Sequence, residues 1–283
     1  QLTGCPFCAP VFHPVNPDMV FAAYSYAATL RISRDRGVTW TPCGTGLPGD
    51  LRQLAIDPTR PDRMLAGTTD ALYYSHDGGE HWAPAAGPAG EVLGFAVDGA
   101  GRCYTALPDG VFTSADGGAR WQPCTPIPRK ILAFAGGGQA GVAMLYAWLH
   151  DGAMVRSRDG GATWEHCASF PIRPGWEGAR RWLLTTNVQP LTVYLVQPDY
   201  SADQCVMRSD DGGTGWRALA FTDRTDPRFN MEMNYITEYF YPQSLWGWGI
   251  TQAAINPADP EQLMFSHYCS MHLTRDGGRT WQA

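Results

Sequence analysis

The chain has 283 residues, 44% of them hydrophobic, and carries a formal net charge of −6. That length can bury one sizeable core or a ring of small ones, and the acidic balance argues against nucleic acid or an anionic membrane as the main partner. No apolar run reaches the roughly 18 residues that a spanning helix needs, so no membrane span is expected.

Taken in chain order, three strand-like runs lead each time into one recurring phrase. Runs at 11–14, 19–24 and 29–33 lead to SRDRGVTW at 33–40. Runs at 54–57, 63–68 and 72–75 lead to SHDGGEHW at 75–82, and those at 94–97, 103–107 and 111–114 to SADGGARW at 114–121. The fourth unit has runs at 131–135, 142–149 and 154–157, with Gly136-Gly137-Gly138 read as the turn between the first two, and closes with SRDGGATW at 157–164. The fifth (183–188, 191–197, 205–209) closes with SDDGGTGW at 209–216, and the sixth (250–255, 262–267, 271–274) with TRDGGRTW at 274–281. The six aspartates of the phrase are Asp35, Asp77, Asp116, Asp159, Asp211 and Asp276, spaced 42, 39, 43, 52 and 65 residues apart.

A period near 40 with strand-rich, glycine-punctuated units is what a β-propeller shows, one unit per blade. The expected fold class is therefore all-β: a propeller of six blades, or six of seven. Residues 1–283 are read as one domain, either complete or part of a larger protein. Within each phrase the aspartate can accept backbone N–H groups of its own turn, the fifth-position glycine supplies a positive φ, and the tryptophan can bury ~150–250 Å² between sheets. Spread around a rim, the six carboxylates cannot converge on one ligand, so they are expected to be structural.

Eight cysteines permit four disulfides in an oxidising compartment. Cys43, Cys124 and Cys167 each follow a phrase tryptophan by three residues, which puts them on the outer strands of three different blades, too far apart to pair; they read as small buried apolar residues. Cys5-Pro6-Phe7-Cys8 has the spacing of half a zinc site, but nothing completes it, so a local disulfide or two thiols is expected there and no metal. The first residues show no basic segment followed by an apolar core, so an export signal is expected to be already absent.

Alternating strand direction puts the turns from strand one to two and the phrase turns on one face. The loops from strand two to three and the crossings between blades share the other. Extra length accumulates on this second face, in the crossing before 182 and in the insert 217–249, and long loops on a rigid scaffold are where function concentrates. The crossings hold Arg173, Trp176, Glu177, Arg180, Arg181 and Trp182, then Glu232, Glu238, Tyr239, Tyr241, Trp246 and Trp248. Aromatic rings among carboxylates and guanidinium groups suit a sugar, which stacks on the former and hydrogen-bonds the latter. Packing of the insert onto the blades is the competing reading. The loops between strands two and three add Asp70, Asp109, His150, Asp151, Asp199, Tyr200 and His267. Most of these aspartates read as turn formers, and His267 as a candidate acid/base or a loop hydrogen-bonder. The candidate ligand set is thus Trp176, Asp199, Tyr200, Glu232, Glu238, Tyr239, Tyr241, Trp246, Trp248 and His267. No cofactor signature stands out.

In all six copies the phrase Ser/Thr-x-Asp-x-Gly-x-x-Trp matches the Asp-box, or bacterial neuraminidase repeat. The stretch 11–40, and Trp248-Gly249-Ile250 leading to Ala254-Ile255-Asn256-Pro257, resemble blade openings of xyloglucanase-type glycoside hydrolases. That resemblance implies a polysaccharide substrate and a catalytic aspartate in blade one, within Arg-Thr-Asp-Ile-Gly-Gly. Here the stretch reads Ala23-Tyr24-Ser25-Tyr26-Ala27-Ala28, without the aspartate. Those enzymes also use a second propeller. Sialidases share the box but open with Arg-Ile-Pro, whereas this chain has Pro171-Ile172-Arg173-Pro174. Sortilin-like receptors and the photosystem II assembly factor are similar propellers that only bind. The expectation is a secreted or periplasmic propeller that binds a glycan or protein on the face opposite the boxes. The alternative is a glycoside hydrolase or polysaccharide lyase, or part of one.

Overall fold

The computed structural model describes residues 6–24, 29–49, 51–139, 142–170, 172, 181–197, 206–219, 250–267 and 270–282. Every regular element among them is a strand, and the strands form six antiparallel sheets, each a meander of consecutive strands. Blade one is β1 (Pro6–Phe12), β2 (Val20–Tyr24), β3 (Leu30–Ser33) and β4 (Thr41–Pro42). Blade two is β5 (Gln53–Ile56), β6 (Met64–Gly67), β7 (Leu72–Ser75) and β8 (Ala83–Pro84); blade three is β9 (Gly94–Val97), β10 (Cys103–Leu107), β11 (Gly110–Ser114) and β12 (Gln122–Pro123). Blade four is β13 (Ile131–Gln139), β14 (Val142–Leu149), β15 (Ala153–Ser157) and β16 (Glu165–Ser169). Blade five is β17 (Trp182–Thr185), β18 (Val193–Val196), β19 (Val206–Ser209) and β20 (Arg217–Ala218). Blade six has β21 (Ile250–Asn256), β22 (Asp259–His267) and β23 (Ser270–Thr274), with Gln282 bridging Leu273 where a fourth strand stands elsewhere.

The innermost strands follow one another around a ring, β1 beside β5, β5 beside β9, and so on through β13, β17 and β21, and β21 lies against β1 again. Six blades close the circle. The core is correspondingly a ring of seams. Phe21, Leu30 and Ile32 of blade one pack with Leu54, Met64 and Ala66 of blade two. Ala96 and Tyr104 of blade three meet Phe134 and Leu145 of blade four, and Met144 and Tyr146 of blade four meet Leu183 and Val193 of blade five. This explains why β6, β10 and β18 are buried along their whole length rather than at alternate residues: each second strand is covered by a blade on both sides, so its apolar run is continuous. Each fully buried aliphatic or aromatic side chain contributes about 1.5–3 kcal/mol.

Blade four corrects the sequence reading. Gly136-Gly137-Gly138 is not a turn but the end of β13, paired with Leu145, Met144 and Ala143. A Cβ on Gly137 would stand 2.7 Å from the Thr186 carbonyl oxygen, and one on Gly136 2.9 Å from Ala96 Cβ. The glycines are there because two neighbouring blades press on the strand from either side, a reason that no local turn signal distinguishes from chain reversal. Asn187 of blade five completes the seam by accepting the Gly138 N–H at 2.9 Å.

Candidate functional site

The two faces of the ring are built differently. On one, the turn from first to second strand is tied to the box turn of the same blade: Arg36 donates its backbone N–H to Asp18 O at 3.0 Å, Gly78 to Asp62 O at 2.9 Å, Gly212 to Leu191 O at 2.8 Å and Gly277 to Glu261 O at 2.9 Å. Each box also satisfies its own carboxylate. The Ser or Thr hydroxyl donates to the aspartate Oδ1 at 2.7–2.9 Å in all six copies. The same hydroxyl accepts the N–H of the fifth-position glycine, as from Gly79 at 3.0 Å and Gly161 at 2.7 Å. The aspartate Oδ1 accepts the backbone N–H four residues on, from Thr39, His81, Arg120, Thr163, Gly215 and Thr280. Donated hydrogen bonds favour the ionised form. The Thr163 hydroxyl, its N–H and the Ser157 hydroxyl bring Asp159 down to about 2, and hydrogen bonds from Thr280 and Thr39 do the same for Asp276 and Asp35.

Sequence reasoning placed a positive φ at the fifth box position only. The fourth is left-handed too: Gly78, Gly117, Gly160, Gly212 and Gly277 have φ of 69–78°, and in blade one the position is held by Arg36 at 61°. The outer strands then stitch blade to blade. Thr45 donates to Glu80 O and accepts from Trp82 N, and Ala86 does the same with Ala119 O and Trp121 N. Cys124 lies under the next box, its Sγ 3.9 Å from Gly160 O. Cys43, Cys124 and Cys167 are half-buried free thiols pushed up to about 11 by burial, which keeps them protonated and unreactive. Cys5 lies outside the described residues, and Cys8 falls in β1. Among the described residues no group of three or more His, Cys, Asp or Glu side chains could hold a metal ion.

The opposite face carries the crossings. Among the described loop aspartates, Asp151 accepts the Ala153 N–H at 3.1 Å and pairs with Arg129 at 2.9 Å, so it is engaged as a turn former. Asp70 follows Thr68, whose hydroxyl accepts its N–H at 3.2 Å. Of the candidate ligand set, Trp176, Asp199, Tyr200, Glu232, Glu238, Tyr239, Tyr241, Trp246 and Trp248 lie outside the described residues, as do Arg173, Glu177 and Arg180. The backbone of His267 ends β22, opposite Ile250 and Ser270.

What the described residues do bring together is a central cavity of about 190 Å³. The inner strands of five blades line it, through residues 53–55, Gly94 and Phe95, residues 133–136, residues 182–185 and Ala253. Arg52 and Arg181 also line it. Each stands one residue before its inner strand, β5 or β17, which is the end where the chain arrives from a crossing. Arg181 is buried, with its guanidinium carbon 5.0 Å from the Trp148 ring centroid, a cation–π geometry that fixes the charge in place. The crossing reading named Arg181 but missed Arg52. The signal was a repeated one: the residue just before the inner strand is cationic in blades two and five, and the single lysine, Lys130, stands at that point before β13.

With this geometry the chain is an Asp-box β-propeller, and the BNR/Asp-box repeat is recognised at residues 73–84, the second box. Three solved structures show what it is similar to. A GH74 xyloglucanase from Xanthomonas campestris superposes with a TM-score of 0.66 at 19% identity, over 98% of this chain and 45% of the enzyme. YCF48 bound to D1 peptide gives 0.55 at 15% identity, over 91% of this chain and 75% of that one. The extracellular domain of a two-component system from B. thetaiotaomicron gives 0.59 at 10% identity, over 95% and 32%. At these identities the likeness is one of fold, and the chain spans less than half of the xyloglucanase. No curated protein matches it in sequence.

Proposed function

We propose that this is a binding propeller acting outside the cytoplasm, extracellular or periplasmic, that holds a glycan or protein ligand on the face opposite the Asp-boxes. The observation that carries this reading is the division of labour between faces: the box carboxylates are used up within their own turns, while the crossing face carries the longest loops and the cationic rim of the central cavity. Extracellular propellers among the similar structures support the location. Within the stretch 220–249, Trp246 and Trp248 are assigned to stacking on a sugar ring and Glu232, Glu238, Tyr239 and Tyr241 to polar contacts, with Trp176, Asp199, Tyr200 and His267 as further ligand candidates. Residues 217 and 218, read from the sequence as part of the insert, are instead β20 of blade five.

A second reading, a glycoside hydrolase or polysaccharide lyase on the same face, draws on the fold shared with the xyloglucanase over nearly the whole chain. The stretch at 23–28, without an aspartate, favours binding over catalysis. Affinity gel electrophoresis in immobilised polysaccharides tests the proposal. The double variant Trp246→Ala, Trp248→Ala should lose retention at an unchanged melting temperature, whereas Asp116→Asn should lower the melting temperature and keep retention. Retention by the double variant, or reducing ends released from the gel polysaccharide by the wild type, would overturn the binding reading.

A further inference from the structure

We propose that His13 is an acid-sensitive latch on the blade-one turn 13–19, which opens when the imidazole takes up a proton at Nδ1. The latch lies on the box face, away from the loops assigned to the ligand, and works independently of what they bind.

The turn reads His13-Pro14-Val15-Asn16-Pro17-Asp18-Met19, and its two prolines have no N–H, which leaves five backbone donors. His13 donates its N–H to Met19 O at 3.0 Å, and Met19 donates to Asn16 O at 3.1 Å. Asp18 donates to Asn16 Oδ1 at 3.0 Å. The remaining two, Val15 at 3.2 Å and Asn16 at 3.0 Å, converge on one atom, His13 Nδ1. A ring nitrogen that accepts is unprotonated, so the neutral imidazole carries its proton on Nε2. Imidazolium has an N–H on both nitrogens and accepts at neither. Protonation therefore sets donor against donor twice, and the turn opens so that water can take the freed amides.

The corresponding turns of other blades use acceptors without this weakness. Asp57 accepts the Thr59 N–H at 2.8 Å, Asp98 that of Ala100 at 2.9 Å, Thr186 that of Gln189 at 3.2 Å and Asn256 that of Ala258 at 3.0 Å. Hydroxyl and amide oxygens have no proton to gain, and a carboxyl group keeps acceptor capacity in either state. Burial pushes the His13 imidazole below its ordinary 6.5, the direction that favours the neutral acceptor. Its hold on the turn is therefore complete above pH 6.5 and lost as pH falls through the lowered value.

The charged groups around the latch are fixed or absent nearby. Asp18 of the same turn pairs with Arg36 of the blade-one box at 2.5 Å, and Asp35 of that box is held by Ser33 and Thr39. Arg34 is exposed in the box, β2 carries no charge and β3 only Arg31. The flanking turns bring Asp57, Arg60, Asp62 and Arg63 in blade two, and Asp259 and Glu261 in blade six, where Glu261 pairs with Arg208. Opening also breaks the bond from Arg36 N–H to Asp18 O. Acid thus changes how blade one presents Phe12, Val15 and Val38, three of the five large apolar side chains exposed among the described residues.

NMR of the nitrogen-labelled whole chain tests the latch. At pH 7.5 the His13 ring should be the Nε2–H tautomer. Between pH 7.5 and 5 the Val15 and Asn16 amide signals should move together with the ring, at a midpoint below 6.5, while those of Thr59, Ala100 and Ala258 stay still. Hydrogen exchange at Val15 and Asn16, corrected for its intrinsic pH dependence, should lose protection about 10-fold per pH unit below the midpoint, as coupling to one proton requires. In His13→Asn, an oxygen acceptor of the kind that Asn256 supplies in blade six should hold the turn and remove the transition. An Nδ1–H tautomer at pH 7.5, or protection at Val15 and Asn16 unchanged down to pH 5, overturns the proposal whether or not the variant folds. A transition that persists in His13→Asn overturns it too, because the titrating group would then lie elsewhere.

Discussion

Trp121 and Trp40 close the same eight-residue turn, yet Trp121 is only 7% exposed and packs in the seam between blades two and three, while Trp40 is only partly buried. Both indoles donate Nε1–H to the fifth-position glycine of their own box at 2.9 Å. The turn's hydrogen bonds are therefore the same, and the difference comes from outside it. The segment after β8 crosses over Trp121, so close that a Cβ on Gly87 would stand 2.8 Å from Trp121 Cβ. Residues 44–47 after β4 do the same for Trp82, where Gly46 approaches the Trp82 carbonyl. No such segment is described beside Trp40. A box turn is thus self-sufficient in polar terms, but the burial of its tryptophan is supplied by the preceding blade.

The largest effect expected from this contrast is on stability. Trp121→Ala should cost about 3–5 kcal/mol, the range for emptying a buried aromatic site, and Trp40→Ala less, about 1.5–3 kcal/mol, since part of its surface already meets water. Urea unfolding of the two variants checks this, and equal losses would show that the neighbouring blade contributes nothing.

A smaller effect should separate two glycines. Gly137→Ala drives a methyl into the Thr186 carbonyl across a seam and should cost about 1–3 kcal/mol. Around Gly78, at φ of 72°, nothing lies within 4 Å of an added Cβ, so Gly78→Ala should cost only the left-handed strain, about 1 kcal/mol. A melting temperature lowered more by Gly78→Ala would mean that turn conformation, not the seam, is the tighter constraint.

The smallest effect is that of acid. Asp159 sits in the folded state at about 2, below its ordinary 3.8. A depressed carboxylate contributes stability that is fully present above pH 3.8 and lost as pH falls towards 2. The group is exposed, so solvent screening keeps the contribution small. Asp159→Asn should flatten the decline in urea midpoint between pH 4 and 2, measured against the wild type, and an unchanged slope would mean that the box carboxylate titrates as it does in the unfolded chain.

Much of the architecture was legible in the residues themselves. The six boxes and three apolar runs before each established at least six blades, the strand order and the face on which the box turns lie, because a repeat of local hydrogen-bonding turns needs no distant partner. The left-handed fifth position was equally local. Arg36 in place of glycine hid the need for the same conformation at the fourth. Tertiary structure alone decided three things. Gly136, Gly137 and Gly138 became strand rather than turn because blades three and five close upon them. Trp121 and Trp40 parted because, among the described residues, only Trp121 has a segment of another blade above it. Arg52 and Arg181, 129 positions apart in the chain, came to line one cavity because ring closure carries the starts of inner strands to a common axis. Such meetings depend on which surfaces the closed ring brings into contact, and a one-dimensional pattern holds no record of them.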